Sequence, residues 1–65
     1  MTKSEAEKAF GRMSSKDKLD VLKLVKYLSA KDISEAQYHL DSIGMELGVT
    51  DYQLRMIRDV SQALS

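Results

Sequence analysis

Leu40-Asp-Ser-Ile-Gly-Met-Glu-Leu-Gly-Val-Thr-Asp-Tyr-Gln-Leu-Arg-Met-Ile57 is the stretch that decides the fold. It reads as a helix, a turn at Gly48 and a second helix launched from Thr50. Ile43, Gly44 and Leu47 before the turn, Val49 in it, and Leu54 and Ile57 after it are spaced so that two helices can cross and pack. That grammar is the helix-turn-helix unit. Gly48 supplies the left-handed residue that closes the first helix. Thr50-Asp-Tyr-Gln53 is a capping-box pattern that opens the next one.

Working outward, the rest of the chain is punctuated by caps, since proline is absent and glycine occurs three times. Ser4-Glu-Ala-Glu7 predicts the start of a first amphipathic helix over residues 4–13. Ser14 or Ser15 caps a second over 15–29, with Asp17 in its first turn and Lys26 near its end, both suited to the helix dipole. Ser34-Glu-Ala-Gln37 opens a third over 35–47, and the fourth runs over 51–63. The prediction is one all-α domain spanning 1–65, a compact bundle of four helices whose last two form a helix-turn-helix-like unit.

The apolar spacing assigns inner faces. Ala36, Leu40, Ile43 and Leu47 make one stripe on the third helix; Leu54, Ile57, Val60 and Leu64 make one on the fourth. The second helix differs, because Leu19, Val21, Leu22, Leu24, Val25, Tyr27 and Leu28 leave only Asp20, Lys23 and Lys26 as a polar ridge. A helix that apolar needs cover on two sides. Two arrangements provide it: a central place between the first helix and the last two, or a face left for a second subunit, including a homodimer through this helix, or another protein.

Composition excludes several functions. With 65 residues the chain is near the lower size at which one core suffices. Cysteine is absent and there is one histidine, so disulfides, thiolate metal sites and a buried zinc site are not expected. The net charge is zero, which gives no global attraction to nucleic acid or acidic membranes. The longest apolar run is too short to span a bilayer and no signal peptide is visible, so a cytoplasmic protein is expected. No Ser/His/Asp arrangement, glycine-rich phosphate loop or zinc-binding histidine pair is present. A non-enzymatic protein without cofactor, metal or small-molecule substrate follows.

Ile43-Gly-Met-Glu-Leu-Gly-Val-Thr50, with Leu54-Arg55, Ile57 and Ala63-Leu64, resembles the DNA-reading segment of region 4 in sigma-70-type transcription factors. Ala9-Phe10, Met13 and Val21-Leu22-Lys-Leu24 are similar to the helices that precede it there. The resemblance implies that Thr50, Asp51, Tyr52, Arg55 and Met56 face the groove, while Ile43, Leu47, Val49, Leu54 and Ile57 pack. This chain departs from that pattern in carrying Asp51-Tyr52-Gln53 where basic residues usually follow the threonine. A second stretch, Leu28-Ser-Ala-Lys-Asp-Ile-Ser-Glu35 with Leu40, Ile43 and Leu47-Gly48, is similar to small helical domains of the tellurite-resistance B type. Those carry an acidic metal-binding loop; here its glycine is missing and Glu35 is not at the family spacing.

Duplex binding draws much of its affinity from phosphate neutralisation. Residues 33–65 hold Arg55 and Arg58 against Glu35, Asp41, Glu46, Asp51 and Asp59. Phosphate contacts would therefore come from Lys16, Lys23 and Lys26 on the second helix, with Arg55 reaching a base edge. The leading expectation is a small DNA-binding transcriptional regulator. The alternative is a protein-interaction module, an adaptor or inhibitor that does not bind DNA and that uses Tyr52, Met56 and Met45 or the apolar second helix. Tyr38 and Tyr52 are placed at the edge of the turn, and Met45 and Met56 on outer faces. His39 reads as a boundary residue one step off the apolar stripe, and Asp32, Glu35 and Asp41 read as capping and surface charges.

Overall fold

Thr2, in extended backbone, opens the first helix of a computed structural model that describes residues 1–65 throughout. Helix α1 is Lys3–Gly11, α2 is Ser15–Ser29, α3 is Ile33–Gly44 and α4 is Asp51–Leu64, with no strand. The all-α reading of the sequence is what the chain adopts.

Both ends of α1 and both ends of α3 differ from the sequence reading. In α1 the capping box is made two residues earlier, at Thr2 rather than Ser4. The Thr2 N–H donates to Glu5 Oε1 (3.0 Å) and the Glu5 N–H donates to Thr2 Oγ1 (3.1 Å). Ser4 and Glu7 therefore lie inside the helix, which stops at Gly11, short of Met13. In α3 the cap is Asp32, whose side chain accepts from the Glu35 N–H at 3.2 Å, rather than Ser34. The cause lies at the end of α2. Lys31 adopts φ +58, the Asp32 N–H reaches the Tyr27 carbonyl (2.9 Å) and the Lys31 N–H reaches the Leu28 carbonyl (3.0 Å). This is the Schellman arrangement, built on a lysine in place of the usual glycine. It reverses the chain so tightly that Asp32 is already at the start of α3.

The last difference is at the far end of α3, which closes at Gly44 instead of Leu47. Residues 45–50 connect to α4, two or so more than a compact helix-turn-helix turn uses. Gly48 (φ +84) does not cap α3 but sits in this connection, where the Val49 N–H approaches the Glu46 carbonyl at 3.5 Å. The turn brings Val49 back against the core and sends Leu47 out. Leu47, assigned by its spacing to the packing stripe, is fully exposed. Thr50 and Gln53 make the expected capping box of α4.

The core consists of Ala6, Val21, Leu24, Ala36, Ile43, Ile57 and Val60. Helix α4 is central: it packs against α1, α2 and α3, while α2 packs chiefly on α4 and α3. Of the two arrangements open for α2, the central place is not the one adopted, since α4 holds it. A buried serine helps α4 fill that role. Ser61 returns its hydroxyl to the Ile57 carbonyl at 2.6 Å, so a small polar residue sits in the core with its hydrogen bond satisfied. Gly44 serves similarly on α3, where a Cβ would meet Leu54 Cδ2 at 3.3 Å. The sequence reading had Leu19 and Leu22 covered within the bundle or held for a partner; they are 61% and 55% exposed.

Candidate interaction surface

Four of the five residues assigned to recognition, Thr50, Asp51, Tyr52 and Arg55, are exposed on the first turns of α4. Capping explains their presentation: Thr50 satisfies the helix start, so Asp51 and Tyr52 follow it with their side chains free. Met56 differs. It is half-buried against the core rather than on the outer face. With Ala9, Arg12, Met13, Tyr52 and Gln53 it lines an open groove of about 260 Å³ between the end of α1 and the start of α4. A second open groove, of about 510 Å³, runs between α3 and α4 past Leu40, Asp41, Gly44, Met45, Leu54 and Arg58.

Met45, Leu47 and Tyr52 are exposed around the α3–α4 connection, as is Tyr38 further back on α3. They are the large apolar and aromatic groups that this end of the molecule offers to solvent. Glu46, between Met45 and Leu47, and Asp51, beside Tyr52, are the acids nearest to them in sequence.

The lysines are divided between two situations. Lys16 is engaged: its ammonium pairs with Asp20 (3.2 Å) and with Glu46, tying α2 to the connection that follows α3. The hydrogen bond to Glu46, then that to Asp20, raises the Lys16 pKa above its ordinary value. Lys23 and Lys26 are exposed and make no ion pair. Val21 and Leu24 are the buried side of α2, and Ile57 and Val60 the buried side of α4. At 100° per residue, Lys26 is displaced well over a quarter-turn from both Val21 and Leu24, and Arg55 likewise from Ile57 and Val60. Since α2 and α4 pack on each other, Lys26 and Arg55 point away from the shared core on opposite sides.

A polar cluster that the sequence reading missed lies between α2 and α3. Asp20, placed there on the solvent ridge with Lys23 and Lys26, is 8% exposed. Besides Lys16 it faces His39, whose Nε2 lies 3.4 Å from Asp20 Oδ1 without forming a hydrogen bond. The Tyr27 ring meets the His39 ring edge-on, centroids 6.2 Å apart. The Lys16–Asp20 spacing, an i, i+4 pair, signals the ion pair but not the burial of Asp20. Asp32 and Asp41 act locally, Asp32 as the α3 cap and Asp41 as acceptor of the Gln37 amide at 2.9 Å. No three His, Asp or Glu side chains converge on one point. No helix is long and apolar enough to cross a membrane.

No protein-family model, curated protein or solved structure matches this chain.

Proposed function

We propose that this protein is a non-enzymatic protein-interaction module that engages its partner through the α3–α4 connection and the first turn of α4. The observation that carries this reading is Leu47, a leucine in full contact with solvent, with Met45 and Tyr52 exposed close to it in sequence. Apolar and aromatic anchors of this kind are what protein interfaces bury at their centres. Methionine adds a flexible surface that adapts to a partner. The sigma-like segment from Ile43 to Ile57 serves, on this reading, as a scaffold that holds those groups out.

The DNA-binding reading keeps one supporting observation, the exposed Tyr52 and Arg55 on a capped helix start. Against it stand the engagement of Lys16 and the opposed directions of Lys26 and Arg55, which leave few basic groups for one duplex face. A regulator acting on DNA through Arg55 would lose affinity in Arg55→Ala.

The test is affinity capture with the wild type and with Leu47→Asp and Tyr52→Asp, two variants whose side chains carry no core packing. The interaction reading expects a complex of defined stoichiometry with the wild type that both variants lose. Equal capture by all three proteins, or binding of duplex DNA that Arg55→Ala abolishes, would contradict it.

A further inference from the structure

Exposed charge is sorted by helix in the α2–α3 hairpin. Every exposed charged side chain of α2 is basic (Lys16, Lys23 and Lys26), and every exposed charged side chain of α3 is acidic (Glu35 and Asp41). The sorting holds for the whole chain: residues 1–31 carry eight bases and four acids, residues 32–65 two bases and six acids. Zero net charge is thus the cancellation of two opposite halves. Each helix also exposes apolar groups beside its charges. On α2, Leu19, Leu22, Lys23 and Lys26 follow the i, i+3, i+4, i+7 rule of one face. On α3, Glu35, Tyr38 and Ser42 do the same, and Asp41 lies about 60° beyond Tyr38, at the edge this face shares with the α3–α4 groove.

The two helices run antiparallel side by side, since Lys16 at the start of α2 meets Glu46 just past α3, and Asp20 meets His39. Two such hairpins are self-complementary. A two-fold axis running alongside them lays α2 of one copy on α3 of the other, and the same rotation makes the reciprocal contact. Lysines then meet carboxylates twice, and Leu19 and Leu22 are covered by Tyr38 of the other copy twice. Pairing α2 with α2 would instead bring like charges together.

We infer that the α2–α3 face binds a second copy of this chain, forming a symmetric dimer held by exposed leucine and tyrosine side chains and oriented by lysine–carboxylate complementarity. This goes beyond the interaction reading, whose surface is the α3–α4 connection. The size is suitable: about 800 Å² per partner in a standard interface is roughly a sixth of this chain's 4649 Å² surface. Charge complementarity of this type sets register and partner choice more than raw affinity, so salt weakens the dimer without abolishing the apolar contact.

Sedimentation equilibrium over a wide concentration range tests the inference with three proteins: the wild type, Lys23→Glu/Lys26→Glu and Glu35→Lys/Asp41→Lys. Circular dichroism and urea unfolding of each confirm that these surface changes leave the fold intact. The wild type is expected to dimerise. Each variant alone sets like charges against each other in both contacts, and its dimer weakens about tenfold or more. Mixed together, the two variants form a heterodimer, because both contacts regain opposite charges. A wild type that stays monomeric at every concentration overturns the inference. So does a dimer that survives undiminished in both variants, which would place the contact on another face. Variants that remain monomeric when mixed also overturn it.

Discussion

The imidazole Nε2 of His39 lies 3.4 Å from the Asp20 carboxylate, across the α2–α3 boundary, with both side chains mostly buried. Asp20 is satisfied by the Lys16 ammonium; His39 Nε2 has no hydrogen-bond partner. The two residues therefore respond differently to removal. Asp20→Ala takes away the acceptor that Lys16 and His39 face and is expected to cost about 1–3 kcal/mol. His39→Phe keeps a ring against Tyr27 and removes an unpaired polar atom, so stability at neutral pH is expected to hold or rise. Urea unfolding of both variants checks the contrast, and a His39→Phe loss as large as that of Asp20→Ala would refute it.

Two residues hold left-handed backbone, and only one is a glycine. Gly48→Ala is expected to destabilise by about 1 kcal/mol, since a Cβ is strained at φ +84 although nothing lies within 4 Å of it. Lys31→Gly is expected to stabilise, by up to about 1 kcal/mol, because it relieves the same strain at φ +58 in the α2 cap. Thermal unfolding midpoints of the two variants should move in opposite directions.

Leu24 and Leu47 are both leucines, but only Leu24 is in the core. Leu24→Ala is expected to cost about 2–5 kcal/mol, a large fraction of the stability of so small a domain. Leu47→Ala is expected to change stability by less than about 0.5 kcal/mol. Equal losses in a denaturant titration would return Leu47 to the packing role its spacing suggested.

The pH dependence has two identified contributors. The backbone N–H of Thr2, then its hydroxyl, holds the Glu5 pKa below its ordinary value. A group lowered in the folded state stabilises above its unfolded pKa, and that contribution disappears as pH falls through the folded value. Lys16 is raised by Glu46 and Asp20, so its contribution is complete below its unfolded pKa and is lost as pH rises through the folded value. Glu5→Gln is expected to flatten the acid limb and Lys16→Met the alkaline limb of stability against pH. Both groups are solvent-exposed, so the effects are small. Unchanged limbs in the two variants would contradict the assignment.

The sequence carried the helix count and most of the inner faces, because caps and 3.6-residue periodicity are local signals. Ile43, Ile57 and Val60 pack as their spacing predicts, and Thr50 caps α4 with Gln53. What was not legible depended on the path of the chain between helices. Leu47 fits the α3 stripe if the helix continues, but the helix stops at Gly44 and the turn through Gly48 delivers Val49 to the core in its place. Lys31 in left-handed backbone is an unusual choice at a helix end, so the tight reversal into Asp32 carried no glycine to announce it. Asp20 lies next to the apolar run of α2, where a carboxylate reads as solvated; only the approach of α3, which brings His39 within 3.4 Å, shows it covered. The candidate surface was legible as residues, since Tyr52, Arg55 and Met45 were singled out. The opposed directions of Lys26 and Arg55 required the packing of α2 on α4.

Whether this chain acts on protein or on DNA is decided by sedimentation velocity of the protein mixed with a labelled, mixed-sequence duplex at low salt. The duplex is expected to sediment as free DNA while the protein sediments faster than a monomer. A duplex boundary shifted by micromolar protein, and returned steeply to the free position by added salt, would establish phosphate contacts and contradict that expectation.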